Sequence, residues 1–292
     1  SFVSLGGWLL FAADDGIHGV ELWKTDGTED GTVQVKDILA GPLGSHPKGF
    51  LSLNGVLYFT AEGEQGAELW KSDGTTAGTR FIKRLPNVND YVSALAQVNG
   101  TIFFTINAAG DQSGLWKSDG TEAGTTLVQS IPGAELDPMG PICANGTLFF
   151  FTYSSLNRSA ASLCKSDGTT RGTVRIKDVY LTNNNGVSEV FTANGMLFFN
   201  AHPGLWMSDG TESGTTVFGG GGGPHRVVEK VEIGGVLFLS LWTPARAELW
   251  RSDGTAAGTL RLHTFPYNPN NAAAPSGLAS ANSLLWFTAY NA

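Results

Sequence analysis

The chain has 292 residues, 41% of them apolar, which is enough to bury a substantial core. Its 39 glycines are in excess, at roughly 13% against ~7% in an average globular protein. The 18 basic and 26 acidic residues leave a net charge of −8, so no nucleic-acid partner is expected. The longest apolar run, Val236–Trp242, is far below the ~18 residues of a membrane-spanning helix, so no membrane span is expected.

The start of the chain and its cysteines limit the protein class further. Ser1 follows no initiator Met and no hydrophobic leader, as expected for a mature form or an excised segment. Two cysteines, Cys143 and Cys164, exclude a disulfide-dense scaffold and a CxxC metal site. Their predicted strands lie two strand spacings apart, roughly 10 Å, beyond the ~7 Å limit for a disulfide. We therefore expect two free, largely buried thiols.

A repeated phrase divides the chain into similar units. It occurs six times, as ELWKTDGTEDGT from Glu21, ELWKSDGTTAGT from Glu68, GLWKSDGTEAGT from Gly114, SLCKSDGTTRGT from Ser162, GLWMSDGTESGT from Gly204 and ELWRSDGTAAGT from Glu248. A second phrase, a turn followed by an apolar run, occurs seven times, from Gly6, Asn54, Asn99, Asn145, Asn194, Gly234 and Asn282. Successive aspartates of the first phrase are 42 to 48 residues apart, a period typical of propeller blades or solenoid turns.

Each unit contains four strand-like segments. The first ends in Asn-Gly or Gly-Gly, which suits a two-residue type I′ hairpin because both central residues need positive φ. The second is an unbroken apolar run, which indicates a strand buried on both faces. The third carries Leu-Trp-Lys and ends at the Asp-Gly turn. The fourth alternates between apolar and polar residues, as a half-exposed edge strand does.

A sheet with two apolar faces needs a similar neighbour on each side, and radial stacking of such sheets makes a β-propeller. We therefore predict an all-β fold, a single β-propeller domain over residues 1–292 with four-stranded antiparallel blades. The predicted units are 1–45, 46–88, 89–134, 135–183, 184–223 and 224–270, with a partial unit at 271–292. Seven blade positions with the last incomplete is the simplest interpretation. Six blades plus an appended hairpin is the alternative, and a β-solenoid fits the hairpin turns poorly.

The repeated phrase resembles the ELWxxDGT repeat family of large, mostly secreted or surface bacterial proteins. The resemblance covers nearly the whole chain. It implies a repeat architecture and a secreted or cell-surface location, and it carries no common reaction or ligand. The pattern departs at Cys164, which replaces the tryptophan of the phrase, and in the short fifth unit.

The repeated polar and aromatic residues are interpreted as structural. Each aspartate of DGTxxGT is expected to accept hydrogen bonds from backbone N–H groups of its own turn. A calcium site at each turn is the alternative, but one carboxylate supplies too few ligands for a cation that takes six to eight oxygens. The tryptophans are expected to pack between blades, and open ring faces that stack on sugars are the alternative. These residues are Asp26, Asp73, Asp119, Asp167, Asp209 and Asp253, with Trp23, Trp70, Trp116, Trp206 and Trp250.

The connections that vary between units offer the best candidates for a binding surface, because a repeated scaffold places its specificity in variable loops. Aromatic rings beside carboxylates and cations are compatible with a carbohydrate ligand. His202 and His225 are expected to come from adjacent units, but no third ligand accompanies them, so no metal or cofactor is predicted. The candidate ligand-binding residues are Tyr91, Tyr153, Trp242, Tyr267, Asp14, Asp15, Asp111, Arg158, His202, His225 and Arg246.

No catalytic signature is present: the chain has no GxSxG, HExxH or GxxxxGK[ST] sequence. The sequence therefore predicts a non-catalytic, secreted or surface binding module, with lectin-like carbohydrate binding through the variable-loop face or inter-blade clefts as the leading hypothesis. A propeller that binds a protein partner or serves as a matrix scaffold is the alternative. A glycan-processing enzyme comes third, because paired carboxylates are set by the fold rather than by spacing in sequence.

Overall fold

A computed structural model of the chain describes residues 2–86, 88–108, 110–131, 134–136, 140–154, 157–181, 186–220, 226–243, 246–266 and 274–289. The described residues form β-strands joined by turns, with two short 3-10 segments. The fold is an all-β propeller of antiparallel sheets, as predicted. The chain divides into two compact units, residues 1–155 with 166–173 and residues 156–165 with 174–292.

The first unit contains three complete blades and the inner part of a fourth. The first blade is β1 (Phe2–Leu5), β2 (Trp8–Asp14), β3 (Val20–Thr25) and β4 (Val33–Lys36), and the second is β5 (Lys48–Leu53), β6 (Val56–Gly63), β7 (Gly66–Ser72) and β8 (Arg80–Arg84). The third is β9 (Val88–Val92), β10 (Ala96–Val98), β11 (Thr101–Ala108), a 3-10 segment (Gly110–Gln112), β12 (Gly114–Ser118) and β13 (Thr126–Ser130). The fourth contributes β14 (Ala134–Leu136), β15 (Ile142–Ala144) and β16 (Thr147–Ser154).

The second unit begins with the outer strands of the fourth blade, β17 (Asn157–Ser166) and β18 (Val174–Tyr180). The fifth blade is β19 (Ser188–Ala193), β20 (Met196–Ala201), β21 (Gly204–Ser208) and β22 (Thr216–Val217), followed by a 3-10 segment (Phe218–Gly220). The sixth is β23 (Arg226–Ile233), β24 (Val236–Thr243), β25 (Arg246–Ser252) and β26 (Leu260–Phe265). The seventh sheet has two strands, β27 (Ser276–Ala281) and β28 (Leu284–Thr288). The prediction of seven blade positions with an incomplete last blade is confirmed.

The first two strands of each blade are joined by the type I′ turn that the dipeptides predict. Asn54 and Gly55, for example, have φ values of 52° and 77°. The seventh sheet keeps this backbone with Asn282 and Ser283, at φ 52° and 61°. The turn therefore sets strand register in the same way at both ends of the chain.

Two connections between units contain short strands in addition to the four predicted segments. β9 and β14 lie in the third and fourth units and pair with β11 and β16. The alternation rule overlooked them because they are short and follow proline-containing segments. The connection between β6 and β7 is short, since their pairing continues to Gly63 and Gly66. Among the described residues, no helix is long and apolar enough to cross a membrane.

Three of the repeated tryptophans pack between consecutive blades. Trp70 joins a buried cluster with Leu10 and Leu22 of the first blade, and Trp116 joins one with Leu69 of the second. Trp250 packs with Phe198 and other side chains of the fifth blade. Each ring thus covers the apolar face of the preceding blade. Trp23 and Trp206 are half-buried. Neither cysteine forms a disulfide, as predicted, and Cys164 is buried, whereas Cys143 is only half-buried.

The repeated phrase folds into the same hydrogen-bonded turn at all six positions. In the second blade, the backbone N–H and the hydroxyl of Thr75 both donate to Asp73 Oδ1, at 2.9 and 2.7 Å. The N–H of Gly78 donates to Thr75 Oγ1, and the Thr79 hydroxyl donates to the Thr75 carbonyl. The hydroxyls of Ser72 and Thr79 then join the two strands at 2.7 Å. The aspartate therefore satisfies donors of its own turn.

The second glycine of the phrase is required by close contact rather than by its φ angle. A Cβ atom at Gly78 would lie 1.9–2.2 Å from the carboxylate atoms of Asp73, and the same contact recurs in the other five turns. No side chain fits unless the carboxylate moves away, which breaks its hydrogen bonds to Thr75.

We predict that Gly78→Ala lowers the free energy of unfolding by about 1–3 kcal/mol, because the new methyl group overlaps the Asp73 carboxylate. Asp73→Ala alone is expected to cost about 1–3 kcal/mol through unsatisfied turn donors. Urea denaturation of the single and double variants checks the cause. In the Asp73→Ala background the glycine substitution should cost clearly less, and an undiminished cost would contradict this explanation.

The same turns predict a loss of stability in acid. Hydrogen bonds from the threonine side chain and backbone hold the pKa of Asp26, Asp73, Asp119, Asp167 and Asp253 below the usual 3.8. Because the folded pKa is lower than the unfolded one, the stabilisation is complete above about pH 4 and is lost as the pH falls through the folded values. Urea denaturation at pH 7, 5, 4 and 3 should show this decline, and Asp73→Asn should make it less steep.

Candidate functional site

Consecutive blades are linked by a lysine that follows the tryptophan position of the repeated phrase. Its ammonium group donates to the carbonyl oxygen of the Asp-Gly glycine in the next blade. The four pairs are Lys24 with Gly74 at 2.9 Å, Lys71 with Gly120 at 3.0 Å, Lys117 with Gly168 at 3.0 Å and Lys165 with Gly210 at 2.7 Å. These contacts hold the turn of one blade against the third strand of the blade before it. We call each of them a lysine clamp.

Two further contacts reinforce these junctions nearer the outer strands. A lysine of the fourth strand donates to the last threonine carbonyl of the next turn, and a threonine of that turn donates back to the fourth strand. The lysine contacts join Lys36 to Thr79 at 3.1 Å, Lys83 to Thr125 at 2.9 Å and Lys177 to Thr215 at 2.8 Å. The threonine contacts join Thr76 to Val35 and Thr170 to Val128, each at 2.7 Å.

The junction between the fifth and sixth blades has lost all three donors. Met207 stands where the lysine clamp would begin, and Gly219 stands where the fourth-strand lysine would lie. Ala256 replaces the threonine that donates back to the preceding blade. None of these three side chains can donate a hydrogen bond. The fourth strand is also short here, since β22 spans only Thr216–Val217.

A cleft of about 560 Å³ lies at this junction. Its lining includes all three replaced positions together with residues of both blades. The lining residues are Met207, Thr216, Val217, Gly219, Trp250, Ala256, Thr259, Leu260 and Arg261. The volume falls within the ~300–1,000 Å³ range of small-ligand sites. The cleft therefore lies where the three donors are replaced, and it is the candidate functional site.

Trp250 forms the floor of the cleft and is fixed from several sides. Its ring lies 5.3 Å from that of Phe218 and its Nε1 donates to Glu248 Oε2 at 2.7 Å. Gly219, at φ 67°, lies so close that a Cβ atom there would come 2.5 Å from the ring. A lysine at position 219 would therefore displace the ring as well as fill the cleft.

A pair of arginines supplies positive charge beside the cleft. Arg246 Nε and Arg261 Nη1 both bind Glu248 Oε1, at 2.6 and 3.0 Å, and the carboxylate is 1% exposed. Burial raises the pKa of Glu248, but hydrogen bonds from Trp250, Arg246 and Arg261 outweigh it, so the net shift is downward. Two guanidinium groups share one carboxylate, so a net positive charge remains at the rim.

The residues nominated from sequence do not form this site, and several are occupied elsewhere. Tyr153 lies in β16 and is buried, so its ring offers no open face. Trp242 packs on the cluster around Leu249, behind the cleft lining. Arg246 belongs to β25 rather than to a loop, and it binds Glu248. Among the nominated side chains that the structure describes, only Arg246 is next to the cleft, through its shared carboxylate.

The acidic candidates of the first unit serve local turns. Asp14 Oδ1 accepts from the Gly16 N–H at 2.7 Å, and Asp15 binds the backbone of residues 17 and 18. These backbone contacts, with the His18 ring at 2.7 Å, lower the pKa of Asp15 to about 2. Asp111 lies in the 3-10 segment before β12.

The remaining candidates are placed only in part. Tyr91 and Arg158 lie in β9 and β17, and the structure describes only their backbone. The carbonyl of His202 accepts from Trp206 Nε1 at 3.2 Å. His225 and Tyr267 fall outside the described residues. Within the described part of the chain, no group of three or more His, Cys, Asp or Glu side chains could hold a metal ion.

The fifth copy of the repeated phrase differs from the others at the position that borders the cleft. Aligning the six phrases shows that only the fifth has an apolar residue, Met207, where the others carry lysine or arginine. The short fifth unit was noted as atypical, but its link to the sixth turn requires knowledge of which carbonyl the lysine contacts. That acceptor is visible only in three dimensions.

Comparison with known proteins supports the fold. No family model matches the chain and no curated protein matches it, so membership of the ELWxxDGT repeat family stays a prediction. Solved structures do match, and the three described here are 11–13% identical to this chain. One, from a study of two prolyl endopeptidases, has a TM-score of 0.54 and 13% identity, and the match covers 97% of this chain and 44% of that one.

A puromycin-hydrolyzing peptidase of Mycobacterium tuberculosis matches with a TM-score of 0.51 and 11% identity, over 98% of this chain and 48% of that one. The computationally designed Ika8 protein has a TM-score of 0.53 and 11% identity, over 99% and 80%. The chain spans less than half the length of the peptidase chains that it matches. Such likeness shows the fold, a β-propeller.

The leading functional hypothesis is wrong on this comparison. The natural propellers that match belong to peptidases, and nothing in the comparisons supports a lectin. The physical reason lies in the nominated side chains, because Tyr153 is buried and Trp242 is half-buried against the cluster around Leu249. The aromatic surface expected for sugar stacking is therefore not formed by these two rings.

We predict that Met207→Lys raises the free energy of unfolding by about 0.5–1.5 kcal/mol, because the new ammonium can donate to the Gly254 carbonyl as the four lysine clamps do. The reverse change at a clamped junction, Lys71→Met, should lower it by a similar amount. Urea denaturation of both variants measures the effect. A loss of stability in Met207→Lys would show that the sixth turn cannot accept the clamp.

Proposed function

We propose that this chain is a non-catalytic propeller domain of a peptidase-type protein, and that the cleft between the fifth and sixth blades binds a polypeptide segment. The observation that carries the proposal is the cleft of about 560 Å³ at the one described junction where all three donor positions are replaced. The matching peptidase propellers support the class of ligand, since they occur in proteins named for acting on peptides.

The lining chemistry suits an apolar side chain of a peptide. Met207, Val217 and Leu260 contribute flexible and branched apolar surface over the Trp250 floor. Thioether and aromatic groups adapt to side chains of different shape, so the cleft favours a class of residues rather than one. The hydroxyl of Thr216 can bond a passing main chain.

The rim adds a preference for negative charge close to the apolar side chain. Arg261 lines the cleft and shares Glu248 with Arg246. Since the two cations exceed the single carboxylate, a ligand carboxylate at the rim can pair with an exposed guanidinium. The preferred segment is therefore Leu or Phe followed closely by Asp or Glu.

The binding prediction uses acetylated and amidated nonapeptides that contain Phe-Asp or Leu-Glu between glycine and serine residues. Isothermal titration and Trp fluorescence should show saturable binding to the chain at micromolar to millimolar concentration. Replacing the acid by its amide should weaken binding, and replacing the apolar residue by Ala should abolish it. Incubation of the peptides with the chain alone should leave them uncleaved.

Position 207 provides the matched control. Met207→Leu keeps the size and polarity of the lining and should keep peptide binding. Met207→Lys fills the cleft and should abolish binding while circular dichroism shows an intact fold. Equal binding by both variants would show that the peptide binds outside this cleft. Hydrolysis of the peptide by the chain alone would contradict the non-catalytic role.

A further inference from the structure

The outer half of the sixth blade lacks the cover that the preceding blades have. The residue nine positions after the repeated aspartate is buried in the other described blades, as Val35, Ile82, Val128, Ile176 and Phe218 show. The equivalent residue of the sixth blade, Leu262, is 45% exposed. The same apolar position is thus buried in five blades and exposed in the sixth.

A buried donor on the same blade points to the same missing cover. Arg251 occupies the lysine-clamp position of the sixth blade. Its Nε atom is buried and has no hydrogen-bond partner within the described part of the chain. In four other blades the cation at this position donates to the glycine carbonyl of a following DGT turn. Arg251 is therefore a clamp without an acceptor.

The seventh sheet shows what would supply that acceptor. Among the described residues, β28 pairs only with β27, and its other edge is open. Trp286 and Phe287 are 60% and 37% exposed, whereas Phe59, at the position of Phe287 in the second blade, is fully buried. In the second blade this edge pairs with the strand that carries Leu-Trp-Lys, and Phe59 lies opposite Trp70.

We propose that the surface formed by Arg251, Leu262, Trp286 and Phe287 is a hairpin-accepting site, and that its occupant is a β-hairpin of the ELWxSDGTxxGT type. The occupant is defined by the junctions within this chain, each of which presents such a hairpin to the preceding blade. This inference does not depend on the peptide cleft, which lies on the opposite side of the sixth blade.

The register of the second blade fixes how the hairpin binds. Opposite β28, the tryptophan of the incoming strand lies beside Phe287 and its lysine beside Trp286, as Trp70 and Lys71 lie beside Phe59 and Tyr58. The DGT turn then brings its glycine carbonyl to Arg251. The fourth strand of the hairpin and its turn cover Leu262. One hairpin thus satisfies the open edge, the buried donor and the exposed apolar residue together.

The test uses the whole chain and a synthetic peptide with the sequence of residues 66–84, GAELWKSDGTTAGTRFIKR. The expected result is saturable binding by isothermal titration, with slowed amide exchange in β28. A peptide with the Trp70→Ser and Gly78→Ala changes, which remove the inter-blade ring and distort the turn, should bind at least 10-fold more weakly. Phe287→Asp in the chain should abolish binding.

A second measurement tests the proposal in case the isolated peptide does not fold into a hairpin. The same 19 residues fused after Ala292 place the hairpin at high local concentration. The fusion should raise the unfolding midpoint, shift Trp286 fluorescence to shorter wavelength and lose both effects when Phe287 is Asp. No effect from either peptide or fusion would overturn the proposal. A dimer that already protects β28 would also overturn it, in favour of a second copy as occupant.

Discussion

The structure depends on the fact that no blade can satisfy its own surface. The second and third strands are apolar on both faces, so each sheet needs a neighbour that removes this surface from water. Trp70, Trp116 and Trp250 do this by packing on the blade before them. The lysine clamps fix the relative position of two neighbouring blades, because each ammonium group donates to one particular carbonyl of the next turn.

This arrangement separates the parts of the repeat that must stay constant from those that can vary. The DGTxxGT turn is closed upon itself, and its glycine is held by contact with the aspartate. It therefore keeps its shape whether or not the preceding blade donates to it. The sixth turn shows this, since Thr255 still binds Asp253 where Met207 and Gly219 offer no donor. A junction can open into a cleft without unfolding the turn.

Sequence reasoning predicted the elements well because each depends on local chemistry. Asn-Gly needs positive φ, apolar runs need burial on two faces, and the aspartate bonds to its own turn. It failed where the partner is distant in sequence. Lys71 and the Gly120 carbonyl are 49 positions apart, and nothing in the phrase shows that they meet. The nominated loops failed for a related reason, because Tyr153 and Arg246 belong to strands that run further than their apolar cores indicate.

The two departures from the repeat show which kind of change creates a site. Cys164 replaces a tryptophan, the larger loss of buried surface, yet the adjoining Lys165 keeps its clamp on Gly210 at 2.7 Å. At the junction between the fifth and sixth blades, Met207, Gly219 and Ala256 together replace the three donors, and the cleft lies there. Lost packing can be refilled by neighbouring side chains, because dispersion and burial have no fixed direction. A lost donor cannot be refilled in this way, since the carbonyl accepts only from a group placed along its lone pairs. The junction that lost its donors is therefore the one where the cleft lies.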